Sequence, residues 1–137
     1  MAPQNSRTSV GLYRAALEKN VSFDIDFVES WHDHPLLIQA FTKKLLAGRE
    51  RASRELGTDA PVIFTAHSVP TRTIEAGDPY EQQARETAEM VAMEVPSLHS
   101  DDWTFAFQSQ GMSGGEWIGP TVEETILGLK AKGHGGV

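Results

Sequence analysis

Hydrophobic and polar positions in this chain follow two rhythms that take turns. From Ser9 to Leu17 the side chains Val10, Tyr13, Ala16 and Leu17 recur at helical spacing. Phe23, Ile25 and Phe27 then alternate with Ser22, Asp24 and Asp26, which predicts a strand with one polar face. A long helix is predicted from Pro35 to Leu56, with Leu37, Phe41 and Leu45 inward and a charged outer face. Asp33 is its expected N-cap, Pro35 falls in its first turn, and Gly57 is its expected stop. Within Pro61 to Ala66, the apolar run Val62-Ile63-Phe64 reads as a buried parallel strand.

A loop is expected from Val69 to Asp78, with a turn at Gly77-Asp78-Pro79. Asp78 has the look of an N-cap, with Pro79 at the first helical position and Glu81 at capping-box distance. The helix that follows, Pro79 to Val95, turns Ala84, Ala88, Val91 and Ala92 inward and stops before Pro96. Trp103 to Phe107 is a strand with Trp103, Phe105 and Phe107 on one face. After the glycine-rich loop Gly111 to Gly115, Thr121 and Glu124 form a second capping box for a last helix ending near Lys130 to Gly133. Helix and strand therefore alternate throughout. That order implies right-handed crossovers and an α/β fold of three layers, a Rossmann-like open parallel sheet with helices on both faces. The pattern ends on a helix where a further strand would ordinarily follow, so a last strand is expected to be lacking.

Composition narrows the function classes. A chain of 137 residues with 39% apolar and 23% charged residues suits one globular domain with a real core. Its net charge of −7 argues against general nucleic-acid binding. With no cysteine there are no disulfides or thiolate metal sites in this chain, which fits a reducing compartment, and a cytoplasmic location is the expectation. No apolar run approaches the roughly 20 residues of a transmembrane helix, and the N-terminus lacks a signal-peptide layout.

Chemistry concentrates at His67. A histidine at the carboxyl end of a parallel strand stands where open α/β sheets place their ligands, and imidazole both titrates near neutrality and ligates transition metals. A buried histidine satisfied by neighbouring backbone is the competing reading. His32-Asp33-His34 has the residue types of a metal cluster, but adjacent residues rarely face one point, and Asp33 has the simpler role of a helix cap. His99 and His134 are isolated. The Gly111–Gly115 loop lacks a phosphate-binding signature and reads as a pocket-lining loop. Glu116, Glu123 and Glu124 read as cap and dipole partners. Trp103, Trp117 and Phe107 read as core, with the lining of a flat apolar pocket as the alternative.

Six ordered blocks resemble the ferrochelatases, enzymes that insert ferrous iron into a porphyrin in haem biosynthesis. These are Pro3-Gln4-Asn5-Ser6 with Ser9 to Tyr13; Glu29-Ser30-Trp31 with Asp33 and Pro35; Ala66-His67-Ser68-Val69-Pro70; Gly77-Asp78-Pro79-Tyr80; Phe107-Gln108-Ser109; and Trp117-Ile118-Gly119-Pro120. The resemblance implies a chelatase-like fold, with His67 as the metal-site histidine that ligates iron or accepts a pyrrole proton. It implies that Tyr13 contacts the porphyrin and that Trp117 stands near the cleft or is structural. Iron is then a substrate, and no fixed cofactor is implied. Asn5 departs from the family's aromatic, and the family's Asp-His-x-Glu block, whose glutamate faces the metal histidine, does not follow the last helix.

The resemblance further implies a segment, residues 1–20, crossing over from a first domain, and a partial second domain over residues 21–137. Substrate is either protoporphyrin IX or coproporphyrin III. An isolated chain of this kind is expected to bind porphyrin weakly and to insert iron at most slowly. The alternatives are a non-catalytic porphyrin- or metal-binding remnant, or a half-enzyme that needs a complementary chain or a homodimer.

Overall fold

The computed structural model describes Ala15, Glu18, Lys19 and residues 28–111 and 114–137. The helix expected at Ser9–Leu17 (Ala15 apart), the strand Phe23–Phe27 and the candidate Tyr13 lie outside the described residues.

Helix α1 spans Pro35–Leu56, the predicted bounds. Its cap is His34 rather than Asp33: the imidazole Nδ1 accepts the Leu36 N–H at 3.2 Å. Pro35 has no N–H to offer, so the first donor in reach is Leu36, and the residue two before it takes the bond. Gly57 ends the helix in the left-handed region at φ 70°, its N–H bonded to the Ser53 carbonyl. The inward stripe matches the prediction at Leu45 and departs from it at Ile38 and Phe41. Ile38 is buried and Leu45 packs on the core, while Phe41 is half exposed.

Strand β1 (Val62–His67) pairs in parallel with β2 (Trp103–Gln108), from Val62 opposite Trp103 to His67 opposite Gln108. Because side chains alternate, Val62, Phe64 and Ala66 share a face with Trp103, Phe105 and Phe107. Phe64 meets Trp103 edge-on with ring centroids 5.4 Å apart, and Phe105 meets Phe107 at 5.2 Å. The helix Tyr80–Met93 lays Ala84 and Ala88 on this face. Ala106 on the opposite face is also fully buried, so both faces of β2 are covered.

The segment expected as a loop contains a short helix, α2 (Thr71–Glu75), which starts after Pro70 fixes the chain's entry. Gly77, at φ 88°, makes the turn into α3 (Tyr80–Met93). Pro79, expected at the first helical position, is instead the N-cap, and the Asp78 carboxylate before it accepts the Tyr80 N–H at 3.0 Å. Glu81 does not close a capping box there; it binds Arg85 through two guanidinium nitrogens. That guanidinium lies over Phe105 and Phe107, 5.1 and 5.4 Å from the ring centroids. Ala88, Val91 and Ala92 are buried as predicted. The last helix, α4 (Val122–Ala131), has its predicted capping box: Thr121 Oγ1 accepts the Glu124 N–H, and the Glu124 carboxylate accepts the Thr121 N–H.

The fold class is α/β, an open parallel sheet with packed helices in a Rossmann-like arrangement, and its sheet has two strands among the described residues. Among these residues no helix is long and apolar enough to cross a membrane.

Candidate active site

Parallel strands end together, so β1 and β2 bring His67 and Gln108 side by side at the carboxyl edge of the sheet. His67 is exposed there, while Ser68 beside it is 1% exposed. A buried hydroxyl needs a partner, and Ser68 Oγ donates to the Ile118 carbonyl at 2.8 Å. The Ser68 N–H donates to the Gln108 carbonyl at 2.7 Å, and the Ile118 N–H to the Val69 carbonyl at 3.0 Å. Tyr80, at the start of α3, donates its hydroxyl to the His67 carbonyl at 2.9 Å. Four of the six sequence blocks thus meet within one turn of chain.

The bond made by the imidazole itself decides what it can do. His67 Nδ1 stands 3.1 Å from the Ser68 carbonyl oxygen. A carbonyl can only accept, so Nδ1 carries the proton and neutral His67 keeps its lone pair on Nε2. An unprotonated Nε2 on an exposed side chain at a strand end is equipped to coordinate a metal or to take up a proton.

Trp117 is half-buried, and its backbone bridges Pro70, three residues after His67. Its ring lies over Gly111; a β-carbon at that glycine would sit 2.6 Å from the indole. Gly111 therefore supplies space for the tryptophan, a role that the glycine-rich pattern does not specify. Ser109, the first residue past β2, is left-handed at φ 61°, an uncommon geometry for a non-glycine residue. A shallow cleft of about 210 Å³ opens beside Pro70, lined also by Thr71, Arg72, Glu75, Gly115 and Glu116. Phe107 is fully buried and Trp103 packs on the core, so neither lines this cleft.

Three of the other histidines have structural roles. His32 binds Ser30 Oγ through Nδ1 at 2.8 Å and Glu86 through Nε2 at 2.9 Å, and its carbonyl accepts from Thr87 Oγ1. His34 caps α1, and His99 caps the 3-10 turn Ser100–Asp102. Among the described residues no group of three histidine, aspartate or glutamate side chains is placed to hold a metal. The sequence pattern assigns no functional role to Ser68 or Tyr80, and it reads Gly111 as part of a pocket-lining loop. Ser68 and Tyr80 stand inside quoted blocks, but their partners are remote in the chain.

The profile of the ferrochelatase family matches residues 1–137. A ferrochelatase of Acidobacterium capsulatum is 49% identical over an alignment of 149 residues, covering 97% of this chain and 45% of that protein. A ferrochelatase of Deinococcus radiodurans is 36% identical, covering 97% of this chain and 43% of its own length. A coproporphyrin III ferrochelatase of Halalkalibacterium halodurans is 35% identical over 94% of this chain and 41% of its own. The chain thus spans less than half the length of these curated relatives. With the family profile matched over residues 1–137 and four of the six ordered blocks gathered at one sheet edge, the chain belongs to the ferrochelatase family.

Proposed function

We propose that this chain forms the histidine-bearing wall of a cleft in which Fe²⁺ enters a porphyrin, in haem biosynthesis, with protoporphyrin IX or coproporphyrin III as substrate. The observation that carries this is the 3.1 Å contact between His67 Nδ1 and the Ser68 carbonyl, which calls for a proton on Nδ1 and so leaves Nε2 as the reactive atom at the sheet edge. Insertion exchanges two pyrrole N–H protons for one Fe²⁺. His67 Nε2 either coordinates the incoming ion or accepts a departing proton, and both need a lone pair there. A positioned imidazole is suited to proton transfer worth about 10²–10⁴-fold in rate. Its borderline softness holds Fe²⁺ without the grip of a thiolate.

In this proposal Tyr13 contacts the porphyrin and Trp117 shapes the cleft mouth. The group that faces His67 across the substrate comes from outside the described residues, in a complementary chain or a second copy if not in this one. Residues 1–20 form a crossing segment and residues 21–137 part of a chelatase domain. The related enzymes' names support the reaction class, and the coverage of less than half their length makes a slow or partner-dependent reaction the expectation.

Anaerobic iron insertion, followed as loss of porphyrin fluorescence, tests the proposal with each porphyrin in turn. The wild-type chain should exceed the uncatalysed rate, and His67→Ala should lose about 10²–10⁴-fold of any excess. Equal rates for the two chains would remove His67 from the reaction. Rates at background with both porphyrins, together with tight porphyrin or metal binding, would favour a non-catalytic binding protein instead.

A further inference from the structure

The peptide unit joining His67 to Ser68 is held at both poles. Its N–H donates to the Gln108 carbonyl on β2 at 2.7 Å. In a trans peptide the carbonyl points the opposite way, so the His67 oxygen faces away from β2. A side chain meets it there: Tyr80 Oη donates at 2.9 Å. Downstream, Ser68 is fixed by its buried hydroxyl on the Ile118 carbonyl. The Ser68 carbonyl that receives His67 Nδ1 therefore belongs to a residue fixed through both its N–H and its hydroxyl.

We propose that Tyr80 is a positioning residue for His67: its hydroxyl fixes the peptide plane after the histidine, holds the proton on Nδ1, and so keeps Nε2 free. Tyr80 suits this by its placement. It is the first residue of α3, anchored through its N–H to Asp78, and its ring packs on the core cluster of Phe105 and Phe107. Burial raises its pKa above the ordinary 10.0, so the phenol remains a protonated donor throughout the neutral range. Without the hydroxyl, the His67 carbonyl loses its holder and the peptide can rock about its remaining bond to Gln108. The short Nδ1 contact to the next residue is the first interaction that such rocking breaks. Metal or proton transfer at Nε2 rests on the function proposed above, but the tautomer does not, and the two can fail separately.

The test is ¹⁵N NMR of the imidazoles in the full chain, comparing wild type with Tyr80→Phe, which keeps the ring and removes one oxygen. Wild-type His67 should be predominantly the Nδ1–H tautomer. Tyr80→Phe should shift the ratio several-fold toward Nε2–H, leave the His32 and His34 signals in place, and slow iron insertion with little change in the KM for porphyrin. An Nε2–H tautomer in the wild-type chain overturns the proposal without any variant. So does an unchanged His67 tautomer in a folded Tyr80→Phe chain. A shifted tautomer beside equal insertion rates for wild type and His67→Ala would keep the positioning role and discard the proposed reaction.

Discussion

Two histidine-bearing turns in this protein use the same side chain for opposite ends. At the entry to α1, His32 engages Ser30 and Glu86 with its two ring nitrogens, and His34 spends Nδ1 on the Leu36 N–H. At the end of β1, His67 spends Nδ1 on a carbonyl, and among the described residues no hydrogen-bond partner takes Nε2. The entry histidines hold chain segments together, and the strand-end histidine is itself held. Residue type does not separate these cases. What separates them is the count of ring nitrogens left over once local bonds are made, and whether a rigid shell defines the remaining one.

That contrast can be broken from the shell inward. Ser68→Ala strips the buried Ile118 carbonyl of its donor and should cost about 1–3 kcal/mol. Urea unfolding should show it as a lower midpoint, and insertion should slow as well, because the turn carrying His67 loosens. Gly111→Ala brings a methyl group within 2.6 Å of the Trp117 ring and should cost about 1–3 kcal/mol if the ring is held, less if it swings away. Tryptophan emission should shift in either case. His34→Ala removes a helix cap and should cost about 1 kcal/mol in urea unfolding, with no change in the rate of iron insertion. A rate loss in that last variant would blur the distinction between the two turns.

The smallest effect is one of pH, at α4, far from either turn in sequence. The Thr121 backbone N–H, with its side chain second, holds the Glu124 carboxyl below the ordinary 4.5. A carboxyl depressed in the folded state stabilises the fold above its unfolded value and loses that contribution as pH falls through the folded one. The stability gap between wild type and Glu124→Gln should therefore be present at pH 7 and shrink below about pH 4.5. A gap that stays constant to pH 2 would separate the cap's effect from the charge.

Local signals account for most of what the sequence discloses. The bounds of α1, the Gly57 stop and the Thr121–Glu124 box need only neighbours within four residues, and each is present. The cap of α1 is misplaced by one residue because proline removes the donor that Asp33 would have met. Helix α2 is too short, at five residues, to establish a period. The site is legible as blocks but not as bonds. Tyr80 reaches His67 across 13 residues and Ser68 reaches Ile118 across 50, distances that no pattern in the chain encodes. Gly111 reads as loop freedom and proves to be clearance for an indole. Motifs locate the candidate site, and the bonds that hold its turn come from residues remote in the chain.

The most direct trial sets the three histidines against one another in a single iron-insertion assay, with His67→Ala, His32→Ala and His34→Ala measured beside the wild type. His67→Ala should lose about 10²–10⁴-fold of the rate above background, while the other two stay within about threefold of wild type once folded. Equal losses across the three variants, or a full rate in His67→Ala, would contradict the assignment of the free Nε2 at the strand end as the reactive atom.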